Sequence, residues 1–117
     1  MATYEKVKLS GAGTKNAPVD FSYSTVTAHT TGTSSTILDE VWLYVNNNGV
    51  MDVDSSIDIV IDGKYIRWVL PPESTTLIFS GVPVAGSGSA GTTIQVEDAS
   101  GNGNTLLVYG YVNRITP

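Results

Sequence analysis

Residues 55–71 read SSIDIVIDGKYIRWVLP, and this stretch restricts the fold more than any other. Ile57, Ile59 and Ile61 recur at every second position, with Asp58, Val60 and Asp62 between them. A period of two is the signature of a strand with one buried face, and no helix can satisfy it. Asp62 and Gly63 are the residue types that accept positive φ at both central positions of a type I′ turn, so the run is predicted to fold back into KYIRWVL as an antiparallel hairpin. Pro71 and Pro72 then end the second strand, because neither can donate a ladder hydrogen bond.

The same alternation and turn chemistry recur along the chain. TYEKVKLS (3–10), FSYSTVTAHT (21–30), DEVWLYVN (39–46), TTLIFS (75–80), TTIQVED (92–98) and NTLLVYGYVNRI (104–115) read as further strands. GAGTKNAP and TTGTSST are linkers between them, NNNGV (46–50) is a tight turn, and VPVAGSGSAG is a mobile loop or Gly-kinked edge. In DEVWLYVN, Val41, Leu43 and Val45 face one way, and Trp42 and Tyr44 the other. Charged residues make up only 15% of the chain, and no window carries apolar residues at helical spacing. About eight short strands without crossover helices predict an all-β, antiparallel, jelly-roll-like β-sandwich. With 117 residues, residues 1–117 are expected to form a single domain with one core. The absence of cysteine excludes disulfides, thiolate metal sites and thiol nucleophiles.

Charge narrows the partners. Eleven acidic residues against six basic ones give a net −5, and the cations are scattered along the sequence. Nucleic acid is therefore not an expected partner. No stretch approaches the roughly 18 consecutive apolar residues of a membrane span, so no membrane partner is expected either. MATYEK lacks a basic segment leading into an apolar run, and the expectation is manufacture in a host cytoplasm.

The residue types of an ordinary active site are scarce. His29 is the only histidine; as part of TVTAHTT it reads as a surface or half-buried strand residue rather than as a catalytic base. One His and no Cys leave zinc only carboxylates. Asp52 and Asp54 lie on one side of an extended segment and, with carbonyls of the 46–49 turn, offer a shallow calcium site. The competing reading is that Asp52, Asp54, Asp58 and Asp62 form a solvated strand face that discourages edge-to-edge pairing. Nothing in the spacing of these acids fixes the separation that a glycosidase pair needs. GSGSAG lacks the lysine and following helix of a phosphate loop. No enzymatic activity, cofactor or metal is expected from these residues.

Aromatic side chains are the conspicuous remainder. Trp42, Tyr44, Trp68, Tyr109 and Tyr111 fall on predicted strands whose two faces both carry large apolar groups, whereas a two-layer sandwich buries only one face of each sheet. These five residues are the candidates for an interface. Three segments, ATYEKVKLSG at the start, LDEVWLYVNN in the middle and VYGYVNRI at 108–115, resemble small virion proteins of tailed bacteriophages, of the head decoration (cement) type. The resemblance implies a β-sandwich on the capsid surface of the virion, a homotrimer bound to the major capsid protein, that stabilises the assembled lattice. The alternative is a receptor- or carbohydrate-binding module of a phage tail or fibre, with Trp42 or Trp68 as a stacking platform for a sugar ring.

Overall fold

A computed structural model describes residues 1–48 and 53–117. Its elements are β1 (Thr3–Lys8), β2 (Val19–Asp20), β3 (Thr25–Thr30), β4 (Leu38–Asn48), β5 (Ser55–Ile61), β6 (Lys64–Leu70), β7 (Ser74–Val84), β8 (Thr93–Asp98) and β9 (Thr105–Thr116). They pair antiparallel in two sheets. One runs β1-β9-β4-β7, with β2 beside β9 further along the edge that β1 occupies; the other runs β3-β8-β5-β6. Strands β2-β9-β4-β7 facing β3-β8-β5-β6 have the strand order of a jelly roll, the architecture expected from about eight short strands without crossover helices, although the order itself is not legible in the sequence. The expectation of about eight strands omits β2, a two-residue strand between the GAGTKNAP linker and the strand expected from Phe21.

The hairpin forms as expected. Ile61 pairs with Lys64 across a two-residue loop, and Asp62 and Gly63 have φ of 50° and 75°, the signs that a type I′ turn requires. β4 runs on through Asn48, so Asn46 and Asn47 belong to a strand rather than to a turn; the rest of that expected turn, with Asp52, lies outside the described residues.

The core lies between the sheets. Val41, Leu43 and Val45 from β4 and Leu106, Val108 and Val112 from β9 meet Ile57 and Ile59 from β5 and Ile94 and Val96 from β8, all fully buried. Two bulges in β7 adjust its edge. Ile78 is an extra residue between the Leu43–Phe79 and Tyr44–Leu77 pairs, which lets the consecutive Ile78 and Phe79 both become buried. Gly81, at φ 70°, is the extra residue between Trp42–Ser80 and Val41–Val82. The bulge carries β7 to Val84, past Ser80 where the sequence reading ends the strand. The loop after it is pinned rather than free: Gly86 N–H donates to Ser34 O (3.0 Å) and Gly88 N–H to Thr33 O (2.7 Å).

Both ends of this apolar interior are closed by polar side chains. At one end Asn104 Nδ2 donates to Ser55 Oγ (2.9 Å), and Asn47 Nδ2 donates to Leu70 O (3.1 Å). At the other, Asp39 and Arg114 extend the inward parity of β4 and β9, and His29 joins them.

Candidate functional site

Strands β4 and β9 lie side by side at the middle of the five-stranded sheet, with Trp42 opposite Tyr111 and Tyr44 opposite Tyr109. Because Val41, Leu43 and Val45 point into the core, the aromatic residues must point out, and cross-strand neighbours on that face are within stacking distance. Trp42 and Tyr111 stack at 5.8 Å with planes 8° apart, and Tyr44 and Tyr109 at 5.1 Å and 5°. The first row is extended on both sides. The Gly81 bulge lies against Trp42, where a β-carbon would come within 3.2 Å of the indole, and the Lys6 ammonium lies 4.9 Å from the centre of the Tyr111 ring.

Four of the five aromatic candidates therefore come together on one outer face. Trp68 does not join them: it is on the inward side of the other sheet, edge-on to Phe79 at 6.5 Å and packed against the core. Its size and alternation alone could not distinguish a core ring from a surface ring.

Beside the aromatic rows is an open cleft of about 230 Å³, lined by Lys15, Tyr44, Tyr109, Gly110 and Tyr111. Lys15 is a residue the sequence does not single out. It enters because the 11–17 segment folds back along β9, with Gly110 N–H donating to Gly13 O (3.1 Å) and Ala17 N–H to Thr14 O (3.0 Å). Lys8 is paired with Tyr111 in the ladder. Lys6, Lys8 and Lys15, scattered in sequence, thus border a single face of a chain whose net charge is −5.

His29 departs from its expected place. It is 1% exposed, because β3 changes register between Thr27 and His29 and the bulge turns both Ala28 and His29 inward. Ser10 N–H donates to Nδ1 (3.2 Å), so Nε2 carries the proton and donates to Asp39 Oδ2 (2.8 Å). Ser10, His29 and Asp39 meet in space without forming a nucleophile–base pair. The Ser10 hydroxyl instead accepts Thr30 N–H (2.8 Å), and a backbone amide occupies the imidazole nitrogen that would take a proton. Arg114 completes the group with a bidentate bond to Asp39, Nε to Oδ1 at 2.8 Å and Nη2 to Oδ2 at 3.1 Å. Burial pushes the Asp39 carboxyl up, but the hydrogen bonds from Arg114 and His29 and the guanidinium charge outweigh it and hold the group below the ordinary carboxylate range.

The acids expected to form a solvated face divide in the same way. Asp58 is buried and held by Arg67 Nε (3.0 Å) and Nη2 (3.1 Å), whereas Asp54 and Asp62 are exposed. Among the described residues no group of three or more His, Cys, Asp or Glu side chains gathers, and Asp52 lies outside them.

No protein-family model matches the chain, and no curated protein does. Among solved structures, the CBM36-1 domain of a multidomain xylanase from the hindgut metagenome of Trinervitermes trinervoides is similar with a TM-score of 0.50 and 14% identity over 96% of each chain. A family two carbohydrate esterase from Cellvibrio japonicus has a TM-score of 0.48 and 16% identity, matching all of this chain and 36% of its own. An exo-β-1,3-galactanase from Phanerochaete chrysosporium has 0.48 and 12%, over 97% and 27%. The chain thus spans about a third or less of the two enzymes and nearly all of the xylanase domain. At 14% identity the likeness to the xylanase domain shows a shared β-sandwich fold.

Proposed function

We propose that the aromatic face of the five-stranded sheet binds carbohydrate, and that the chain serves as a receptor- or carbohydrate-binding module of a phage tail or fibre. The observation that carries this is the cleft walled by Tyr44, Tyr109 and Tyr111 with Lys15 at its side. A pyranose offers apolar C–H patches to aromatic surfaces and hydroxyls to phenol and ammonium groups, and this cleft supplies both kinds of partner in one place. The likeness to a xylanase's companion domain supports the reading at the level of fold. Lys6, Lys8 and Lys15 favour glycans with acidic substituents. The test is a binding titration against neutral and acidic oligosaccharides. Acidic glycans should bind more weakly as salt rises, and Tyr109→Ala and Tyr111→Ala should each weaken binding by about tenfold or more, while Tyr65→Ala on the other sheet leaves it unchanged. Equal affinity in all three variants would discard the proposal.

A second reading, a head decoration protein bound to an assembled capsid lattice, is favoured by the β6 edge. There Tyr65, Ile66 and Val69 are 66%, 44% and 58% exposed. Co-sedimentation with capsids stripped of the protein tests it.

A further inference from the structure

Where β3 leads into β4, the end of the sandwich opens into a pocket of about 510 Å³, within the roughly 300–1,000 Å³ of small-molecule sites. Thr30, Thr33, Ser34, Ile37, Asp39 and Arg114 line it. It lies at the end of the interior, whereas the tyrosine cleft is on the outer face of the sheet.

We infer that this pocket binds a neutral polyhydroxylated molecule of monosaccharide size. Arg114 would ordinarily invite an anion, but Asp39 already neutralises it through two hydrogen bonds, and Glu5, opposite Arg114 in the β1–β9 ladder, adds negative charge nearby. A second carboxylate or a phosphate would enter a site with no net positive charge to receive it. The hydrogen-bonding capacity is not exhausted, however. A guanidinium has five N–H donors, and Asp39 takes two of them. Donors and acceptors that are polarised yet jointly neutral suit hydroxyl groups, which give and accept at once. Thr33, exposed at the rim, adds a hydroxyl, and Ile37 supplies an apolar wall for a C–H face.

The geometry is also fixed in advance. Asp39 is held by His29 from behind, and His29 is itself held by the Ser10 amide. The pinned backbone of Thr33 and Ser34, whose carbonyls accept from Gly88 and Gly86, keeps the rim in place. A ligand therefore meets a wall already ordered, which lowers the entropic cost of binding.

The experiment is an NMR titration of the full chain with methyl glycosides of glucose, galactose and mannose, and separately with inorganic phosphate. At least one glycoside is expected to shift the amides of Thr30–Ser34 and the Arg114 Nε–H while phosphate does not. Thr33→Val, isosteric and exposed, should weaken that binding about fivefold, the loss of one neutral hydrogen bond. Arg114→Lys, which keeps the charge beside Asp39 but not the fork, should abolish it. Overturning results are the absence of shifts at these groups with every glycoside, a response to phosphate alone, or affinity indifferent to both substitutions. Shifts confined to Tyr109, Tyr111 and Lys15 would overturn this site and leave the aromatic face standing; the converse would separate them the other way.

Discussion

Asp39 keeps its charge in a setting that removes nearly all its water, and it does so because three N–H bonds replace that water. The carboxyl is held lower in the folded chain than the roughly 3.9 of a free aspartate. Its contribution is therefore complete above that value and drains away as pH falls through the lowered folded value. Asp98, which burial pushes up but bonds from the Tyr23, Gly101 and Ser100 amides and the Ser100 hydroxyl pull down further, adds to the same acid limb. Urea midpoints measured from neutral pH downward should fall below about pH 4 in the native protein. Asp39→Asn should be less stable at neutral pH and show a shallower acid decline. An identical acid slope would assign the loss to other carboxylates.

At the scale of the strand, Gly110 has no room for a side chain between β9 and the backbone of β4. A β-carbon there would overlap the Trp42 carbonyl and lie 3.1 Å from Leu9 Cδ1. Gly110→Ala should cost about 1–3 kcal/mol, as overpacking of a filled interior does, read as a lower midpoint in denaturant titration. Gly63→Ala meets open space but a φ of +75°, so its cost is backbone strain alone, about 1 kcal/mol. This is also the scale at which sequence and structure agree best. β4, β8 and β9 were legible because alternating burial leaves a period of two in the residues themselves, β5 through the recurrence of Ile57, Ile59 and Ile61, and β6 through the Asp62-Gly63 turn before it. What escaped reading depends on partners distant in sequence. β2 is a strand only because β9 lies beside it. β7 continues past Ser80 only because a bulge absorbs Gly81. His29 looks solvated in a Thr-rich run and becomes buried once Ala28 is bulged out of register. The aromatic rows were half legible: alternation put Trp42 and Tyr44 on one face, but only the β4–β9 register placed Tyr111 and Tyr109 opposite them, and nothing in GAGTKNAP announced Lys15.

Across the whole molecule, the two sheets present their edges differently. β6 is an edge strand of the four-stranded sheet, and Ile66 has inward parity there, opposite Ile59, yet stays 44% exposed. Lys64 and Arg67 are the charges that blunt this edge against unintended pairing. If it is an assembly surface, sedimentation velocity should show concentration-dependent association that Ile66→Lys removes while the thermal unfolding midpoint stays nearly the same. A monomer at every concentration would confine assembly to other surfaces.

The ninth strand has a consequence in time as well as in space. It is bonded to β1, β2 and β4, so the five-stranded sheet cannot close until Thr105–Thr116 has left the ribosome. Until it emerges, Trp42 and Tyr44 wait without the rings they will stack on, and the first strand waits without a neighbour. Such late, long-distance closure folds slowly and leaves sticky intermediates. A nascent chain halted before Thr105 should therefore remain protease-sensitive and bind chaperones, and one in which Thr105–Thr116 has cleared the ribosome should not.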